Sequence, residues 1–255
     1  MMTNDNRSRK FSQNGHNRYW WHRTPGCDYV PIIYQALSEQ EWNLISDWFE
    51  ESEKSYELTG EAGVPIMSFL LGLINGNSID RIVQCGHYIG YSSLMFGFFL
   101  RMMNKKHSIY SIDIDEKVTA YSQKWIDKAD LNDFVKLNVN NSAALSEPSS
   151  AELYLRGKPQ LVFIDSSHQY RHTLEELDLW YPSIVKGGFL ALHDTSEFAR
   201  AYDNTKSGGV ASAVKEWAEK NNVRALNING FVTGGSPGDF PYLDGCGLTL
   251  IQKND

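Results

Sequence analysis

Short apolar runs alternate with amphipathic segments through most of this chain, and the alternation predicts its fold. Runs rich in β-branched and aromatic residues, typical of buried strands, lie near residues 81–85, 108–113, 161–165, 189–194, 224–228 and 247–252. Between several of them, apolar residues recur every three or four positions, as in a helix that packs on one face. Strands that alternate with helices in this way indicate a single doubly wound α/β domain with a mostly parallel sheet.

The first 63 residues are predicted to lie outside this domain, which we place at residues 64–255. Residues 1–18 are polar and charged without periodicity, and we expect a disordered tail there. Residues 19–63 are rich in aromatic side chains and include a helix that begins at a capping box of Ser38 and Glu41. This extension could cover an acceptor pocket as a lid, form a homo-oligomer interface, or pack on the domain itself. A further helix is predicted to begin near Pro65.

The segment after the first strand is predicted to hold a nucleoside-sized ligand. Gly86 and Gly90 are four residues apart, and glycine adopts positive φ and lets the backbone approach a ligand. Free backbone N–H groups are expected at the helix entry near Ser92. Bulky His87 and Tyr88 replace the closely spaced glycines of the dinucleotide fingerprint, so a pyrophosphate site is disfavoured. A tight connection without a ligand is the alternative for such a turn.

An acidic residue, Asp113, follows the second strand. The carboxyl ends of neighbouring parallel strands open onto one crevice, where a carboxylate can accept hydrogen bonds from both hydroxyls of a ribose. The separation of Gly90 and Asp113 is near the roughly 20 residues expected for such an acid. Asp113 could instead cap the helix that begins near Glu116, although Asp115 is better placed as that cap.

Two further strands end in carboxylates and imidazoles that we expect at the same edge of the sheet. The strand that ends at Asp165 is followed by His168, and the strand after the next helix ends in His193, Asp194 and Thr195. Carboxylate oxygens clustered in this way suit Mg²⁺, Mn²⁺ or Ca²⁺. Capping of the following segments is the alternative role for the two aspartates, and a hydrogen-bonded helix cap is the alternative for His168.

Together these segments resemble the class I S-adenosylmethionine-dependent methyltransferases, and among them small-molecule O-methyltransferases of the catechol type and of the sugar and antibiotic-tailoring type. The resemblance extends from about residue 64 to residue 253 and consists of four motifs in order, at residues 82–92, 163–170, 178–180 and 187–194. It implies a Rossmann-like domain with a seven-stranded, mostly parallel sheet whose last strand is antiparallel. It also implies S-adenosylmethionine as the cofactor.

Transferred position by position, the resemblance implies most of a cofactor site. The methionine part of the cofactor would lie along the first turn, the ribose at Asp113, and the adenine near Ser142, which follows a third apolar run. Gln84 departs from the family, which usually has a carboxylate near the methionine ammonium, so a hydrogen bond replaces charge pairing there. The implied cofactor-binding residues are Gly86, Tyr88, Gly90, Ser92, Asp113 and Ser142.

The resemblance also implies a metal and a catalytic group. Asp165 and Asp194 match metal ligands of the family, Thr195 stands at the position of a third ligand, and the implied ion is Mg²⁺ or another divalent cation. His168 and Asp165 are the predicted catalytic residues, since His168 stands where the catechol type carries a catalytic lysine. The hydroxyl of Thr195 is a poor metal ligand. His193 is expected to give indirect support only, because neighbouring strand residues point to opposite faces.

The composition restricts the partners of this chain. Its 255 residues, 42% of them hydrophobic, are enough for one large α/β domain with an added N-terminal element. A net charge of −7 argues against a nucleic-acid substrate, because proteins that bind phosphate backbones usually carry basic patches. We see neither a secretory signal nor an apolar stretch long enough to span a bilayer, so no membrane partner is expected. Three cysteines without zinc-site spacing favour a reducing, cytoplasmic location.

The sequence therefore predicts methyl transfer from S-adenosylmethionine to a hydroxyl of a small polar acceptor, such as a sugar, a glycan precursor or a secondary metabolite. Three alternatives remain open. A nicotinamide-dependent oxidoreductase also combines a glycine turn with an acid on the second strand, although the third glycine of its fingerprint is absent. A metal-dependent hydroxylase or hydrolase would use the acids without methyl transfer. A non-catalytic subunit that binds the cofactor would account for Gln84 and Thr195.

Overall fold

The computed structural model describes residues 30–57, 60–233 and 244–254 of the chain. The predicted tail at residues 1–18 and the aromatic residues at 19–29 lie outside the described residues. The α-helices of the described part are α1 (Ile32–Gln35), α2 (Glu39–Ser55), α3 (Val64–Gly76), α4 (Tyr91–Met102), α5 (Glu116–Lys128), α6 (Glu147–Leu155), α7 (Tyr170–Trp180) and α8 (Gly209–Lys220). Across these described segments we find no helix with the length and apolar character needed to cross a membrane.

The strands of the described part form one seven-stranded sheet in the order β3-β2-β1-β4-β5-β7-β6. They are β1 (Ile82–Cys85), β2 (Ile109–Asp113), β3 (Val135–Val139), β4 (Leu161–Ile164), β5 (Phe189–His193), β6 (Ala225–Ile228) and β7 (Leu248–Gln252). β1 pairs in parallel with β2 and β4, whereas β7 runs antiparallel between β5 and β6. The predicted doubly wound, Rossmann-like sheet with an antiparallel last strand is therefore confirmed.

The register of the central strands brings their carboxyl ends to one level. Cys85, the last residue of β1, is opposite Ile112 of β2 and Ile164 of β4. The pairing continues one step further, because the Gly86 N–H donates to the Ile112 carbonyl and the Asp165 N–H donates to the Cys85 carbonyl, each at 2.8 Å. The residues that follow these three strands consequently share one edge of the sheet, at the switch point of the strand order where ligands bind in such folds.

Helices bury both faces of the sheet, as expected for parallel strands. Successive residues of a strand contribute to opposite sides: Ile82 and Phe163 pack with helices α1 to α5, whereas Val83 and Val162 pack with helices α6 to α8. All four of these side chains are fully buried. The loops at the carboxyl edge therefore project from a strand platform that is packed on both sides.

The described part of the N-terminal extension packs on the α/β domain. The predicted capping box is present, since the Ser38 side chain accepts from the Glu41 N–H and the Glu41 carboxylate accepts from the Ser38 N–H. The indole N–H of Trp48 donates to the Ile89 carbonyl at 2.9 Å, which fixes α2 beside the turn that follows β1. α3 begins at Val64, as predicted from Pro65. The roles of lid and oligomer interface stay predictions.

Candidate active site

A cavity of about 610 Å³ opens at the carboxyl edge of the central strands. Its wall consists of the turn after β1, the end of β2, the loops after β3 and β4, and residues 60–62 between α2 and α3. The predicted site residues in this wall are Gly86, Tyr88, Gly90, Ser92, Asp113, Ser142, Asp165 and His168. Four segments that are far apart in the chain thus form one cavity.

The turn after β1 adopts a backbone conformation that requires its glycines. Gly86 has a φ of +86° and Gly90 a φ of +94°, both in the left-handed region. A Cβ atom on Gly86 would lie 2.0 Å from the carbonyl oxygen of Asp165, so no larger residue fits between β1 and the end of β4. Gly90 is the N-cap residue of α4, whose first turn contains Ser92. The absence of a side chain at Gly86 brings the turn directly against the strand end that carries Asp165.

Gln84 fastens this turn to the first turn of α4. Its side chain is fully buried, and its amide group donates to the Gly86 carbonyl at 3.0 Å and to the Ser92 hydroxyl at 2.6 Å. Its amide oxygen accepts from the Ser93 hydroxyl at 2.9 Å. The neutral side chain at this position therefore shapes the cavity wall through hydrogen bonds inside the protein and contributes no charge to it.

Asp113 joins the end of β2 to the turn after β1. One carboxylate oxygen accepts from the backbone N–H groups of His87 and Tyr88, at 3.1 and 2.9 Å, and the other accepts from the Asp115 N–H at 3.0 Å. The second oxygen keeps acceptor capacity for a ligand in the cavity. Asp115 caps α5 by accepting from two N–H groups of its first turn. Asp115 is therefore the cap of α5, and Asp113 lines the cavity.

His87 is buried beneath the same turn. Its Nδ1 lies 2.9 Å from the Ser111 hydroxyl oxygen, and its Nε2 lies 2.9 Å from the Thr119 hydroxyl oxygen. Burial lowers the pKa of His87 to about 4, although the nearby charge of Asp113 acts in the opposite direction. A neutral imidazole with two hydroxyl partners therefore supports the turn from below.

Glu176 of α7, which the sequence did not identify, connects two loops of the cavity wall. It is fully buried and accepts hydrogen bonds from the Ser142 hydroxyl at 2.5 Å and the Ser166 hydroxyl at 2.8 Å. Nε2 of His172 lies 3.4 Å from the same carboxylate, and this contact raises the pKa of His172 against the effect of burial. Because Ser142 follows β3 and Ser166 follows β4, Glu176 fixes the loops beside which the adenine is expected.

Asp165, His168 and Asp194 converge beside the cavity. Nε2 of His168 lies 3.0 Å from Oδ2 of Asp194 and 3.9 Å from Oδ1 of Asp165. Ligand atoms of the three residues lie within 4.8 Å of one another, close enough to bind one cation together. The His168 side chain is 35% exposed, whereas that of Asp194 is 6% exposed. His168 therefore presents to the cavity an imidazole whose partner is a buried carboxylate.

His193 belongs to this cluster as well, which corrects the expectation that it points away from Asp194. Its Nδ1 lies 3.3 Å from Oδ1 of Asp165 and 3.5 Å from Oδ2 of Asp194. β5 ends at His193, and Asp194 has a φ of +59°, so the alternation of strand side chains does not continue across this pair. Nε2 of His193 lies 3.2 Å from Oδ2 of Asp244, a carboxylate that the sequence did not identify.

The carboxylates and imidazoles of the cluster shift one another's pKa values. Burial by itself lowers the pKa of His168, but hydrogen bonds to Asp165 and Asp194 raise it to about 10. The pKa of His193 is raised well above 6.5, because the charges of Asp194, Asp244 and Asp165 outweigh its burial. The pKa of Asp165 is lowered by both histidines, although burial opposes this effect. Without another cation to neutralise the carboxylates, the imidazole of His168 carries a proton at neutral pH.

Thr195 follows Asp194 directly and is buried. It lines a second cavity of about 550 Å³ together with Val214 of α8 and Phe231. Its hydroxyl oxygen is buried and has no hydrogen-bond partner among the residues described. The role of Thr195 as a third metal ligand stays a prediction.

The family whose sequence model matches this chain is described as a methyltransferase domain, and the match covers residues 83–195. It begins within β1 and ends just after β5, so it contains the glycine turn, Asp113 and the cluster of Asp165, His168, His193 and Asp194. No curated protein matches the chain.

Solved structures of methyltransferases share this fold. The O-methyltransferase from Bacillus cereus in complex with S-adenosylhomocysteine (SAH) has a TM-score of 0.64 at 14% identity, over 87% of this chain and 96% of its own. The SAH-bound methyltransferase PaMTH1 from Podospora anserina has a TM-score of 0.63 at 15% identity, over 88% of this chain and 93% of its own. The O-methyltransferase TomG from Streptomyces achromogenes is involved in tomaymycin synthesis and was solved with S-adenosylmethionine. It has a TM-score of 0.61 at 16% identity, over 89% of this chain and 96% of its own.

Proposed function

We propose that this chain, which carries a methyltransferase domain on a class I methyltransferase fold, transfers the methyl group of S-adenosylmethionine to a hydroxyl of a small polar acceptor. The observation that carries the proposal is the convergence of the glycine turn, Asp113 and His168 on one cavity. Transfer to a hydroxyl needs a cofactor site that adjoins groups able to handle a proton. A cavity and groups of this kind lie together at the switch point of one sheet, which supports the proposal.

S-adenosylmethionine is the cofactor that these surroundings favour. Relatives with the same fold were solved with SAH or S-adenosylmethionine bound. The cavity volume of about 610 Å³ is in the range of small-molecule sites. We assign the methionine part to the turn after β1, the ribose to Asp113 and the adenine to the loop at Ser142. The residues of this assignment are Gly86, Tyr88, Gly90, Ser92, Asp113 and Ser142.

The chemistry depends mainly on alignment. In methyl transfer from a sulfonium, the bond between carbon and the acceptor oxygen forms as the carbon–sulfur bond breaks, the hydroxyl loses its proton, and SAH leaves. Good positioning contributes up to roughly 7–11 kcal/mol in model reactions. Gly86 supports this alignment, because its turn lies directly against the carbonyl of Asp165. The cofactor is thereby held next to the strand end where the acidic cluster begins.

We assign the proton of the acceptor hydroxyl to His168 and Asp165. Both residues line the cavity, and Asp194 is placed to orient the His168 ring. General-base catalysis contributes typically about 10²–10⁴-fold to a rate. A protonated His168 accepts no proton, so this role requires that the charges of its two carboxylate partners be neutralised.

The cluster fits a divalent cation. Asp165 and Asp194 offer two carboxylates, and the imidazoles of His168 and His193 lie beside them, so that oxygen and nitrogen donors of the kinds that bind such ions in proteins are close together. When bound there, the cation would neutralise the carboxylates and lower the pKa of a hydroxyl that it contacts. This agrees with the shifted pKa of His168, which indicates a surplus of negative charge around its ring.

Sugars, glycan precursors or secondary metabolites are the acceptors we favour over catechols. By the resemblance, His168 stands where the catechol type has a lysine, and Thr195 stands where that type has an asparagine that binds the metal. TomG provides an example of a relative with this fold that acts in the synthesis of a secondary metabolite. The acceptor would enter at the part of the cavity next to His168.

The proposal is tested with methyl-labelled S-adenosylmethionine and a panel of small hydroxylated compounds. We expect label transfer to at least one compound class, and a loss of turnover of roughly 10²–10⁴-fold in His168→Ala with unchanged SAH affinity by calorimetry. Binding of SAH without transfer to any acceptor would instead indicate a non-catalytic subunit.

Two simple controls separate the remaining alternatives. A thermal-shift comparison should show stabilisation by S-adenosylmethionine and none by NAD, because the turn lacks the third glycine of a pyrophosphate site. The reverse result would favour an oxidoreductase. Product formation in the absence of the sulfonium cofactor would favour a metal-dependent hydroxylase or hydrolase.

A further inference from the structure

His193 is placed like a metal ligand, although the sequence assigned it only an indirect role. Its Nδ1 lies 3.3 Å from Oδ1 of Asp165 and 3.5 Å from Oδ2 of Asp194. With bonds of about 2.1 Å, neighbouring ligands of one ion are about 3.0 Å apart in an octahedral and about 3.4 Å apart in a tetrahedral arrangement. The two measured separations are therefore close to those between ligands of a single ion.

Asp244 holds the ring of His193 in the orientation that such a ligand needs. Its Oδ2 lies 3.2 Å from Nε2 of His193, on the side of the ring opposite to the aspartate pair. Asp244 is itself fixed, because its Oδ1 accepts from the Cys246 N–H at 2.8 Å and its carbonyl accepts from the Asn229 amide. A carboxylate on the distal nitrogen is the usual support of metal-binding histidines, since it sets the tautomer and the ring direction.

The surrounding donors are softer than those of a magnesium site. Ligand atoms of His193, Asp194 and Cys246 lie within 4.8 Å of one another, so a thiol is within reach of the same region. Mg²⁺ and Ca²⁺ prefer oxygen ligands, whereas imidazole nitrogen and thiol sulfur favour transition-metal ions. The His193 side chain is only 10% exposed, so the surrounding protein holds this nitrogen in place.

We propose that Asp165, Asp194 and His193 form the metal site of this protein, with Asp244 as the support of His193, and that the site prefers Fe²⁺, Co²⁺ or Zn²⁺ over Mg²⁺ and Ca²⁺. This inference rests on the proposed function and specifies the ion of the same site. It assigns to His193 the third ligand position, for which the sequence indicated Thr195. His168 then remains available for the acceptor proton, with its ring in the cavity wall and 3.0 Å from Asp194.

The test uses the full chain after removal of metals with a chelator and Co²⁺ as the probe. We expect one Co²⁺ per chain, with visible absorption bands, and an affinity for Co²⁺ at least about 100-fold above that for Mg²⁺ by calorimetry. The proton on Nε2 of His193 should appear as one exchangeable resonance shifted by the bound Co²⁺. This measurement on the unaltered protein stays informative if a variant at the buried histidine does not fold.

Matched histidine variants decide which imidazole binds the ion. His193→Ala should abolish measurable Co²⁺ binding, and Asp244→Asn should weaken it by about 10–100-fold. His168→Ala should change it by less than about threefold, because that ring is assigned no bond to the ion. His107→Asn, at the opposite end of β2, serves as the control for the loss of a histidine. SAH binding, measured on every variant, reports the integrity of the fold.

The outcomes separate this inference from the proposed function. Equal affinities for Mg²⁺ and Co²⁺ would overturn it, as would loss of Co²⁺ binding in His168→Ala but not in His193→Ala. A protein that binds SAH but no Co²⁺ would also overturn it and would leave the cluster as imidazolium–carboxylate pairs. A protein that binds Co²⁺ as expected but neither SAH nor S-adenosylmethionine would instead contradict the proposed function.

Discussion

One carboxylate oxygen of Asp113 accepts a hydrogen bond from the backbone N–H of Tyr88 at 2.9 Å, across 25 positions of sequence. The contact ties the end of β2 to the turn after β1, and Tyr88 needs the support because its φ is +41°. The acid expected to hold a ribose is therefore also a structural part of the turn that should hold the methionine. We therefore expect changes at Asp113 to affect both parts of the proposed cofactor site.

Asp113→Ala should weaken SAH binding by about 1.5–3 kcal/mol, the range for hydrogen bonds to a charged group. The reason is twofold: the acceptor for the ribose is lost, and the backbone N–H groups of His87 and Tyr88 lose their partner. Isothermal calorimetry measures the effect. Asp115→Ala is the matched control, because it should cost about 1 kcal/mol of stability through the cap of α5 and leave SAH affinity unchanged. Equal SAH affinities of the parent, Asp113→Ala and Asp115→Ala would contradict the ribose role of Asp113.

Gly86→Ala should destabilise the fold by at least about 2–3 kcal/mol, because the new Cβ meets the Asp165 carbonyl at a positive φ. Gly72→Ala on α3 is the matched control, since a Cβ there has nothing within 4 Å. That substitution should stabilise the protein by up to about 1 kcal/mol through helix propensity. Urea unfolding of the two variants gives both values. A Gly86→Ala protein as stable as the parent would show that β1 and the end of β4 can move apart.

Glu176→Ala should lower SAH affinity by about tenfold and stability by about 1–3 kcal/mol, because it leaves the buried hydroxyls of Ser142 and Ser166 without their acceptor. Glu176→Gln should lie between this variant and the parent, since an amide oxygen can replace one of the two contacts. Glu175→Ala, whose side chain is 57% exposed, should behave like the parent. If Glu176→Ala is destabilised but binds SAH normally, then Glu176 supports the fold and not the adenine pocket.

The buried His87 should make stability depend on pH. Its pKa is about 4 in the folded protein and near 6.5 when unfolded, so the unfolded chain binds more protons between these values. The contribution of His87 to the free energy of unfolding is thus fully present above pH 6.5 and is lost as the pH falls toward 4. At 1.36 kcal/mol for each unit of pKa, the loss amounts to up to about 3 kcal/mol. His87→Gln should lack this part of the slope in urea titrations from pH 7 to pH 4, and parallel curves for the two proteins would contradict the assignment.

The central part of the fold could be predicted because its signal is local and repeated. Apolar runs that end in Asp113, Asp165 and Asp194 indicate strand ends, and a parallel sheet brings neighbouring ends together without further information. The structure confirms the sheet, the match to a methyltransferase domain over residues 83–195 agrees with the predicted resemblance, and solved methyltransferases share the fold. Helix α6 gave no comparable signal, because its buried residues are only Glu147, Ala151 and Leu155.

The details of the cluster depend on features that residue patterns do not encode. Asp194 adopts a positive φ although it is not glycine, and Nδ1 of His193 lies 3.5 Å from its carboxylate, a contact that strand alternation does not predict. Asp244 is 51 positions from His193 in the sequence. It reaches His193 only because β7 inserts beside β5. Glu176 looks like an exposed helix residue in the sequence, and its partners lie in two different loops.

The most direct test of the central claim is a crystal structure of the full chain grown with SAH. We expect SAH in the cavity at the carboxyl edge of β1 and β2, with the ribose hydroxyls on Asp113, the homocysteine along the turn from Gly86 to Gly90, and the sulfur toward Asp165 and His168. SAH bound at another surface, or a cavity that takes up no SAH at saturating concentration, would contradict the assignment of this cavity as a methyltransferase active site.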